Sequence, residues 1–159
     1  CSTAYHLAKN GHNVEIITPH KNTENTKINE VLVHGIGTGG PFGLTALKIL
    51  KKAIEKEYDL YYCHELDPLL YSWILKKITG KPVIWDCHEY LVPMKRELQG
   101  DFSALLTKIA INLAAPKTDH IITVDNTLAK QLRLEIDVLP PLGNHRIPPH
   151  SVMQLCRHV

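Results

Sequence analysis

Short apolar runs alternate with longer segments of helical periodicity along the chain. Five runs are almost continuous in branched aliphatic and aromatic residues, as expected for parallel strands that are covered on both faces. They predict strands at 14–18, 31–33, 59–63, 82–86 and 120–124. The segments between them carry apolar residues every three or four positions and predict helices. The alternation favours an α/β fold with a Rossmann-like, doubly wound, mostly parallel sheet and helices on both faces.

The predicted helices have recognisable start and stop signals. Gly11 and Gly80 are suited to ending helices, and the Asp67-Pro68 pair is suited to starting one. Asp101 and Asn126 are candidate caps of the last two helices. We expect the apolar stripes of these helices to face the sheet. Their residues are Ala4, Leu7, Ala8, Leu44, Leu47, Leu50, Ile54, Leu69, Leu70, Trp73, Ile74, Ile78, Leu105, Leu106, Ile109, Leu113, Leu128, Ala129 and Leu132.

Three segments interrupt the alternation. Residues 20–30 are polar and predict a loop, as does the Gly-rich stretch 35–43, which matches neither the dinucleotide nor the P-loop pattern. Residues 137–159 contain four prolines within ten positions and show no strand or helix period. The organisation predicted is therefore one domain over 1–136, followed by an irregular Pro-rich tail over 137–159.

The composition is that of an ordinary soluble globular domain, with 44% hydrophobic and 21% charged residues. A net charge of +2 gives no reason to expect a nucleic-acid partner. No apolar run approaches the roughly 20 residues of a membrane span. The four cysteines lack Cys-x-x-Cys spacing, which favours reduced thiols in a cytoplasmic protein.

The tripeptide Cys-His-Glu occurs twice, each time at the end of a predicted strand. In open α/β sheets, the carboxyl ends of strands line the crevice that binds ligands. We therefore expect His64 and Glu65 to lie near His88 and Glu89, with Asp86 beside them. His88 is the first candidate for a catalytic centre, because an imidazole can bind a ligand and exchange protons near neutral pH.

Each of these side chains also has a purely structural interpretation. His88 could bond neighbouring backbone, Asp86 could cap the next turn, and Glu89 could be solvated. Glu65 lies near a predicted helix start, where the helix dipole stabilises a carboxylate. His34, at the end of the second predicted strand, could border the same crevice.

A zinc site is the main rival interpretation of the repeated tripeptide. Cys63, His64, Cys87 and His88 include soft ligands for Zn²⁺. Adjacent residues of an extended chain point in opposite directions, so each strand end easily offers one residue of its pair. We therefore expect no metal at these four residues. We also expect no disulfide between the two cysteines in a reducing compartment.

Three stretches resemble the N-terminal domain of family 4 glycosyltransferases of the GT-B fold. They are 7–19, 58–90 and 118–132, and the resemblance covers about residues 4–133. In the central stretch, the family tends to have a His and an acidic residue after one strand. It then has an Asp-x-His-Glu run after the next, here from Asp86 to Glu89. The resemblance implies that the family's first, central strand would precede residue 1 and that its donor domain is absent.

The resemblance implies a function for this half of the fold. The family transfers a sugar from a nucleotide-sugar donor to an acceptor, usually with retention at the anomeric carbon. It implies the acceptor-binding half of a hexosyltransferase of polysaccharide biosynthesis, with a glycan or lipid-linked acceptor and no cofactor beyond the donor. His88 and Glu89 would be catalytic, and His64, Glu65 and Asp86 would bind the acceptor. The 159-residue chain alone is expected to be inactive.

Other functions and partners stay open at this point. A nucleotide-sugar epimerase built on a GT-B-like half, or a non-catalytic Rossmann-like binding module, would share the same sheet. The predicted second helix carries a basic face, which is a candidate for peripheral contact with anionic lipid at the inner face of a membrane. Its residues are Lys48, Lys51, Lys52 and Lys56.

Overall fold

The computed structural model describes residues 2–38, 44–135 and 151–155. The strands are β1 Asn13–His20, β2 Glu24–Ile28, β3 Val31–Gly37, β4 Leu60–His64, β5 Val83–Cys87, β6 His120–Thr123 and β7 Ser151–Leu155. The helices are α1 Ser2–Lys9, α2 Leu44–Ile54, α3 Leu66–Thr79, α4 Leu91–Ala114 and α5 Asn126–Glu135, with a 3-10 turn at Ala115–Lys117. The strands form one sheet in the order β2-β3-β1-β7-β4-β5-β6.

The predicted fold class is confirmed. Each described strand pair is parallel except β2 with β3. Successive residues of β1 enter different clusters, since Ile16 packs with Ala4 of α1 whereas Ile17 packs with Ile49 of α2. Strand residues alternate between the two faces of a sheet, so α1 covers one face and α2 the other. The sheet is therefore mostly parallel and has helices on both faces, as expected.

Strand β7 differs from the irregular tail that the sequence predicts. Residues 151–155 pair in parallel with β1 on one side and β4 on the other, at the centre of the sheet. Met153 and Leu155 are fully buried there. The expectation of an irregular segment is wrong for these five residues, because two neighbouring strands supply the pairing that a short isolated segment cannot reveal. The remainder of that segment, 137–150 and 156–159, lies outside the described residues.

Residues 20–30 form the edge of the sheet rather than a loop alone. Strand β2 runs antiparallel to β3 through a two-residue turn, in which Asn29 and Glu30 have φ of 47° and 71°. All of β2 is exposed, so it has no apolar pattern to predict it. Gly37 lies within β3, where an added Cβ would come within 2.9 Å of the Thr23 hydroxyl. Part of the predicted Gly-rich loop is therefore strand, and residues 39–43 lie outside the described residues.

Helix α3 shows why the predicted stripes of α2, α3 and α4 are mostly wrong, whereas those of α1 and α5 pack into the core as expected. It begins at Leu66, one residue before the expected Asp67-Pro68 start, and Gly80 ends it as predicted, in the left-handed conformation. Its buried residues are Leu66, Pro68, Leu69, Ser72 and Leu75, whereas Leu70, Trp73, Ile74 and Ile78 lie outward. The helix is apolar on most sides, so periodicity alone does not identify the face that packs on the sheet.

Helix α4 departs further from expectation. It consists of two helical segments that meet at Gly100, whose φ of 85° is not helical, and the second segment begins after Gly100, where the sequence predicts a helix start at Asp101. After the kink, small and β-branched residues face the sheet, and the larger predicted stripe of Leu105, Leu106, Ile109 and Leu113 is exposed. In α2 likewise, Ile49 and Ala53 are buried while Leu44, Leu47 and Ile54 are exposed. No helix among the described residues is long and apolar enough to cross a membrane.

Candidate functional site

The carboxyl ends of β4 and β5 bring together most of the predicted site residues. The two strands are parallel neighbours in which His64 pairs with Asp86. Glu65 and His88 follow where the strands end. We call Tyr62, His64, Glu65, Asp86 and His88 the edge cluster. The sheet order therefore produces the proximity that the two tripeptides predict.

Asp86 is the centre of the edge cluster. Its carboxylate is buried and accepts a hydrogen bond from the Tyr62 hydroxyl at 2.7 Å, through Oδ2. His64 Nδ1 lies 3.4 Å from the same oxygen, and His88 Nε2 lies 2.6 Å from Oδ1. An ionised carboxylate can only accept, so these contacts place a ring proton on each facing nitrogen. Asp86 thus orients two imidazoles.

The two histidines of the cluster differ in their surroundings. The His88 side chain is 44% exposed, whereas that of His64 is 11% exposed. Their rings meet edge to face with centroids 5.6 Å apart. Burial lowers the pKa of His64, and nearby His88 lowers it further, while the Asp86 carboxylate opposes both. His64 is thus a fixed inner ring and His88 an outer ring that a ligand can reach.

Glu65 has an unusual backbone and an unpaired carboxylate oxygen. Its φ of 66° and ψ of −170° lie in a region that is almost restricted to glycine. Its N–H donates to the Asp86 carbonyl at 3.1 Å, and its own carbonyl accepts from Trp85 Nε1 at 3.0 Å. Glu65 Oε2 is buried and has no hydrogen-bond partner among the described residues. Strain and an unpaired buried acceptor together are typical of a ligand-binding position.

The charge on Glu65 is disfavoured. Burial raises the pKa of its carboxyl, and the neighbouring Glu89 carboxylate raises it further. Glu89 itself is exposed. Its carbonyl accepts a weak bond from the Cys87 thiol at 3.5 Å. A polar hydrogen from a ligand would therefore stabilise the ionised form of Glu65.

The two cysteines beside these histidines are outside the edge cluster. Cys63 and Cys87 are free thiols, and both are fully buried. Burial raises the pKa of each thiol to about 12. Both side chains alternate into the hydrophobic core, as the strand period requires. Each strand end therefore contributes its His and not its Cys.

His34 does not border the crevice and belongs to a second polar cluster. Its Nε2 lies 2.8 Å from Glu15 Oε2, and its Nδ1 lies 2.8 Å from Asn25 Oδ1. Tyr58 donates to the same Glu15 oxygen at 2.9 Å, and Lys56 pairs with the other oxygen. We call Glu15, Asn25, His34, Lys56 and Tyr58 the Glu15 cluster.

Sequence reasoning missed two residues that matter here. Tyr62 is outside the predicted site, although it lies two positions before His64 and therefore on the same face of β4. Glu15 is outside it as well, although an acidic residue inside the apolar run 14–17 is itself a signal. A buried carboxylate requires partners, so such a residue predicts a polar network.

One family model matches most of the chain. The model of Glycosyltransferase Family 4 matches residues 2–142, most of the chain. The chain belongs to glycosyltransferase family 4. No curated protein matches it. As a family 4 domain it is a transferase domain that acts on sugar-related substrates, and this favours the transferase over the epimerase and the binding module.

Proposed function

We propose that this family 4 domain binds the sugar acceptor of a retaining glycosyl transfer from a nucleotide-sugar donor. The acceptor would be a glycan or a lipid-linked glycan of polysaccharide biosynthesis. Family membership supports the transferase chemistry. The observation that carries acceptor binding is the buried Oε2 of Glu65, which has no hydrogen-bond partner in the described part of the chain. It lies next to an exposed imidazole at the carboxyl edge of the sheet.

The edge cluster offers the complementary groups that a sugar hydroxyl needs. Glu65 Oε2 can accept a hydrogen bond, which replaces the partner that this oxygen lacks. His88 presents its second ring nitrogen, Nδ1, once Nε2 donates to Asp86. In the proposal, His88 contacts the sugar at the transfer centre, and Asp86 and His64 are positioning residues. Glu89 is the exposed carboxylate beside them, which accepts from a second hydroxyl.

Saturation-transfer NMR with a panel of saccharides tests this assignment on the 159-residue chain. We expect binding that His88→Ala and Glu65→Gln each weaken at least about tenfold, because each removes one polar contact of the acceptor. His6→Ala, an exposed histidine on α1, is the matched control and should leave binding unchanged. Binding that persists in both cluster variants would refute the assignment.

The same protein sample tests whether acceptor binding and donor binding belong to different domains of the fold. We propose that donor binding depends on the family's donor domain. The 159-residue chain should then bind acceptor saccharides without turning over a nucleotide sugar. Product formation from any nucleotide-sugar donor, followed by mass spectrometry, would contradict an acceptor-only role for this domain.

We also propose peripheral contact with an anionic membrane surface, by a different face from the one that the sequence suggests. Of the four lysines in the basic face that the sequence predicts, two are engaged. Lys52 pairs with Glu55, and Lys56, which lies beyond the end of α2, pairs with Glu15. Helix α4 instead presents an exposed apolar ridge, which we call the α4 ridge. It consists of Phe102, Leu105, Leu106, Ile109 and Leu113, with exposures of 47–73%.

Charge complementarity supports lipid as the occupant of this face. Helix α2 adds Lys48 and Lys51 without any acidic residue. On α3, which packs against α4, the Lys77 ammonium lies 4.5 Å from the Trp73 ring centre. Apolar residues together with lysines and an aromatic ring are typical of helices that lie in a lipid interface. A cytoplasmic location, which we also propose, is supported by the two buried free thiols.

Vesicle flotation distinguishes this surface from a simple exposed patch. We expect the chain to float with phosphatidylglycerol-containing vesicles and much less with phosphatidylcholine alone. Phe102→Ser with Leu106→Ser should abolish flotation, whereas Ile28→Ser, at an exposed apolar position on the edge strand, should not. Flotation that is equal for both variants would show that the α4 ridge is not the contact.

A further inference from the structure

A polar groove lies on the sheet near its β2 edge, away from the edge cluster. The carboxyl-terminal halves of β1 and β3 and the exposed strand β2 border a space of about 210 Å³. We call this space the β2 groove, and its lining includes Thr18, His20, Glu24, Thr26, Val33 and Gly35. We propose that the β2 groove binds a neutral sugar unit of the acceptor, a second subsite that rests on the proposed acceptor function of the edge cluster.

The β2 groove and the edge cluster lie on the same face of the sheet. Ile16 and Tyr62 belong to one hydrophobic cluster and therefore point to the same side. Side chains two positions apart on a strand share a face, so Thr18 points to the side of Ile16 and His64 to the side of Tyr62. One extended ligand could therefore contact both sites without crossing the sheet.

The two sites also lie at the same level along the strands. Gln154 of β7 pairs with Ile16 on one side and with Tyr62 on the other. Thr18 and His64 each follow two residues later on these parallel strands, so they lie in one row across the sheet. Two strand spacings of about 4.8 Å separate them by roughly 10 Å. The same row therefore leads from the β2 groove to the edge cluster.

Gly35 forms the floor of the groove because it has no side chain. It continues the row, pairing with Thr18 on β1 and with Glu24 on β2. An added Cβ at Gly35 would lie 3.1 Å from His20 Cβ and 3.3 Å from Glu24 Cγ. Both separations are shorter than an ordinary carbon–carbon contact. A side chain at this position would therefore occupy part of the space between His20 and Glu24.

The lining of the groove has the chemistry that a sugar ring requires. Val33 and the exposed Ile28 offer apolar surface to the C–H groups of a ring. Hydroxyl, imidazole and carboxylate groups stand beside them and can donate to and accept from sugar hydroxyls. These groups belong to Thr18, His20, Glu24 and Thr26. A few polar groups around an apolar surface are typical of small-molecule sites, and the volume suits one ring rather than a larger ligand.

The charge of the groove favours a neutral sugar over an acidic one. Its described lining contains the Glu24 carboxylate and neither lysine nor arginine. The nearest basic group is the His20 ring, whose Nδ1 lies 3.2 Å from Glu24 Oε1. A uronate in the groove would meet a like charge. The groove would therefore hold a neutral unit of the acceptor while the edge cluster holds the unit that receives the sugar.

Amide NMR of the ¹⁵N-labelled 159-residue chain locates saccharide binding residue by residue. The probes are the methyl glycosides of glucose, galactose and mannose. We expect at least one of them to shift the amide signals of Thr26 and Gly35. The corresponding methyl uronate should bind the groove about fivefold more weakly at neutral pH, because its carboxylate approaches Glu24. Glu24→Gln should remove this difference.

Two tryptophan substitutions on β2 test the groove without disturbing the core, since both positions are exposed. Thr26→Trp places an indole in the groove and should abolish the saccharide-induced shift at Gly35. Lys27→Trp, the matched control, places the same side chain on the opposite face of β2 and should leave that shift unchanged. An equal shift at Gly35 in Thr26→Trp and the parent chain would overturn the proposal.

A third variant separates this subsite from the edge cluster. His88→Ala should remove saccharide-induced shifts at the edge cluster and leave those at Thr26 and Gly35 in place. Shifts confined to the edge cluster would overturn the β2 groove and leave the proposed function standing. Shifts confined to the groove would support this subsite and contradict the acceptor role of the edge cluster. If none of the three glycosides shifts the groove amides, the subsite does not exist.

Discussion

Two buried carboxylates of this sheet have nearly the same partners and very different surroundings. Glu15 accepts from a histidine and a tyrosine and pairs with a lysine. Asp86 accepts from a tyrosine and faces two histidines. Both carboxylates are almost completely buried. The side-chain chemistry alone gives no reason to assign a structural role to one cluster and to propose ligand binding for the other.

The two clusters differ in their position along the strands. Glu15 is the third residue of β1 and lies toward its amino end. Its partners include Lys56, which supplies a full positive charge. Asp86 lies at the carboxyl end of β5, next to the strained Glu65 and the exposed His88. Buried charge is compensated in the first cluster, while the second leaves an acceptor unpaired where parallel sheets bind ligands.

The largest expected difference between the two clusters is in their contribution to the free energy of unfolding. Glu15→Gln should lower the free energy of unfolding by about 2 kcal/mol, because the amide removes the charge that pairs with Lys56 and replaces one of the two accepting oxygens by an NH₂ group. Urea denaturation measures this loss. Glu24→Gln, which removes an exposed contact with His20, should cost less than about 0.5 kcal/mol. Equal losses in the two variants would show that the Glu15 cluster contributes no stability.

The pH dependence of unfolding tests the same cluster. Burial alone would raise the pKa of Glu15, but hydrogen bonds from Lys56, His34 and Tyr58 outweigh it, so the pKa lies below its ordinary 4.5. The ionised form therefore stabilises the fold fully above pH 4.5. That stability is lost as the pH falls through the lowered pKa, at up to about 1.4 kcal/mol per pH unit.

The Glu15→Gln variant is the control for this profile. It lacks the titrating group, so its stability should fall less steeply below pH 4.5 than that of the parent chain. Thermal unfolding measured at several pH values above and below 4.5 would show this difference in slope. Parallel profiles for the two proteins would mean that other carboxylates cause the acid loss.

Relief of the backbone strain at Glu65, in the edge cluster, should raise the free energy of unfolding. The gain should be smaller than the loss expected for Glu15→Gln. Glu65→Ala removes the carboxylate and keeps the unfavourable φ, whereas Glu65→Gly removes both. We expect Glu65→Gly to be about 1 kcal/mol more stable than Glu65→Ala, after the entropic cost of glycine. Denaturant midpoints compare them. Identical midpoints would mean that the backbone at residue 65 is relaxed.

The sequence predicts the fold class and the proximity of the edge-cluster residues better than it predicts how the helices pack on the sheet. Strand ends follow from short apolar runs, and parallel pairing then brings His64 and Asp86 into register. The packing faces of α3 and α4 could not be predicted, since these helices are apolar on several sides and small residues such as Ala104 make the contact. Strand β7 could not be predicted either, because its burial depends on two strands distant in sequence.

The conformation of Glu65 lies beyond any sequence pattern of this chain. Nothing in Cys-His-Glu distinguishes a residue with positive φ from one in an ordinary strand. The strain is maintained by tertiary bonds, in which the Glu65 N–H meets the Asp86 carbonyl and the Glu65 carbonyl meets Trp85. Position along the sheet is predictable from periodicity, but a backbone held by long-range contacts is not.

Asp86→Asn is the sharpest test of the comparison, because a small stability change should accompany a large loss of sugar binding. Asparagine can keep the bond from the Tyr62 hydroxyl and turn its amide toward His88. His88 can then accept through Nε2, so the buried amide has a partner for its oxygen and for its NH₂ group. We therefore expect a loss below about 1 kcal/mol, less than half that of Glu15→Gln.

The Asp86→Asn substitution should also change which ring nitrogen of His88 carries the proton. In the parent chain Nε2 donates to Asp86 and the neutral ring presents an unprotonated Nδ1, whereas in the variant the proton moves to Nδ1. A wrong tautomer of an otherwise intact histidine can cost a functional site far more than stability. Ring ¹⁵N shifts should report the inversion, and saccharide affinity should fall at least about tenfold. A variant that keeps its affinity with an inverted tautomer would place the acceptor contact elsewhere than His88 Nδ1, and the edge cluster would then resemble the Glu15 cluster in role as well as in composition.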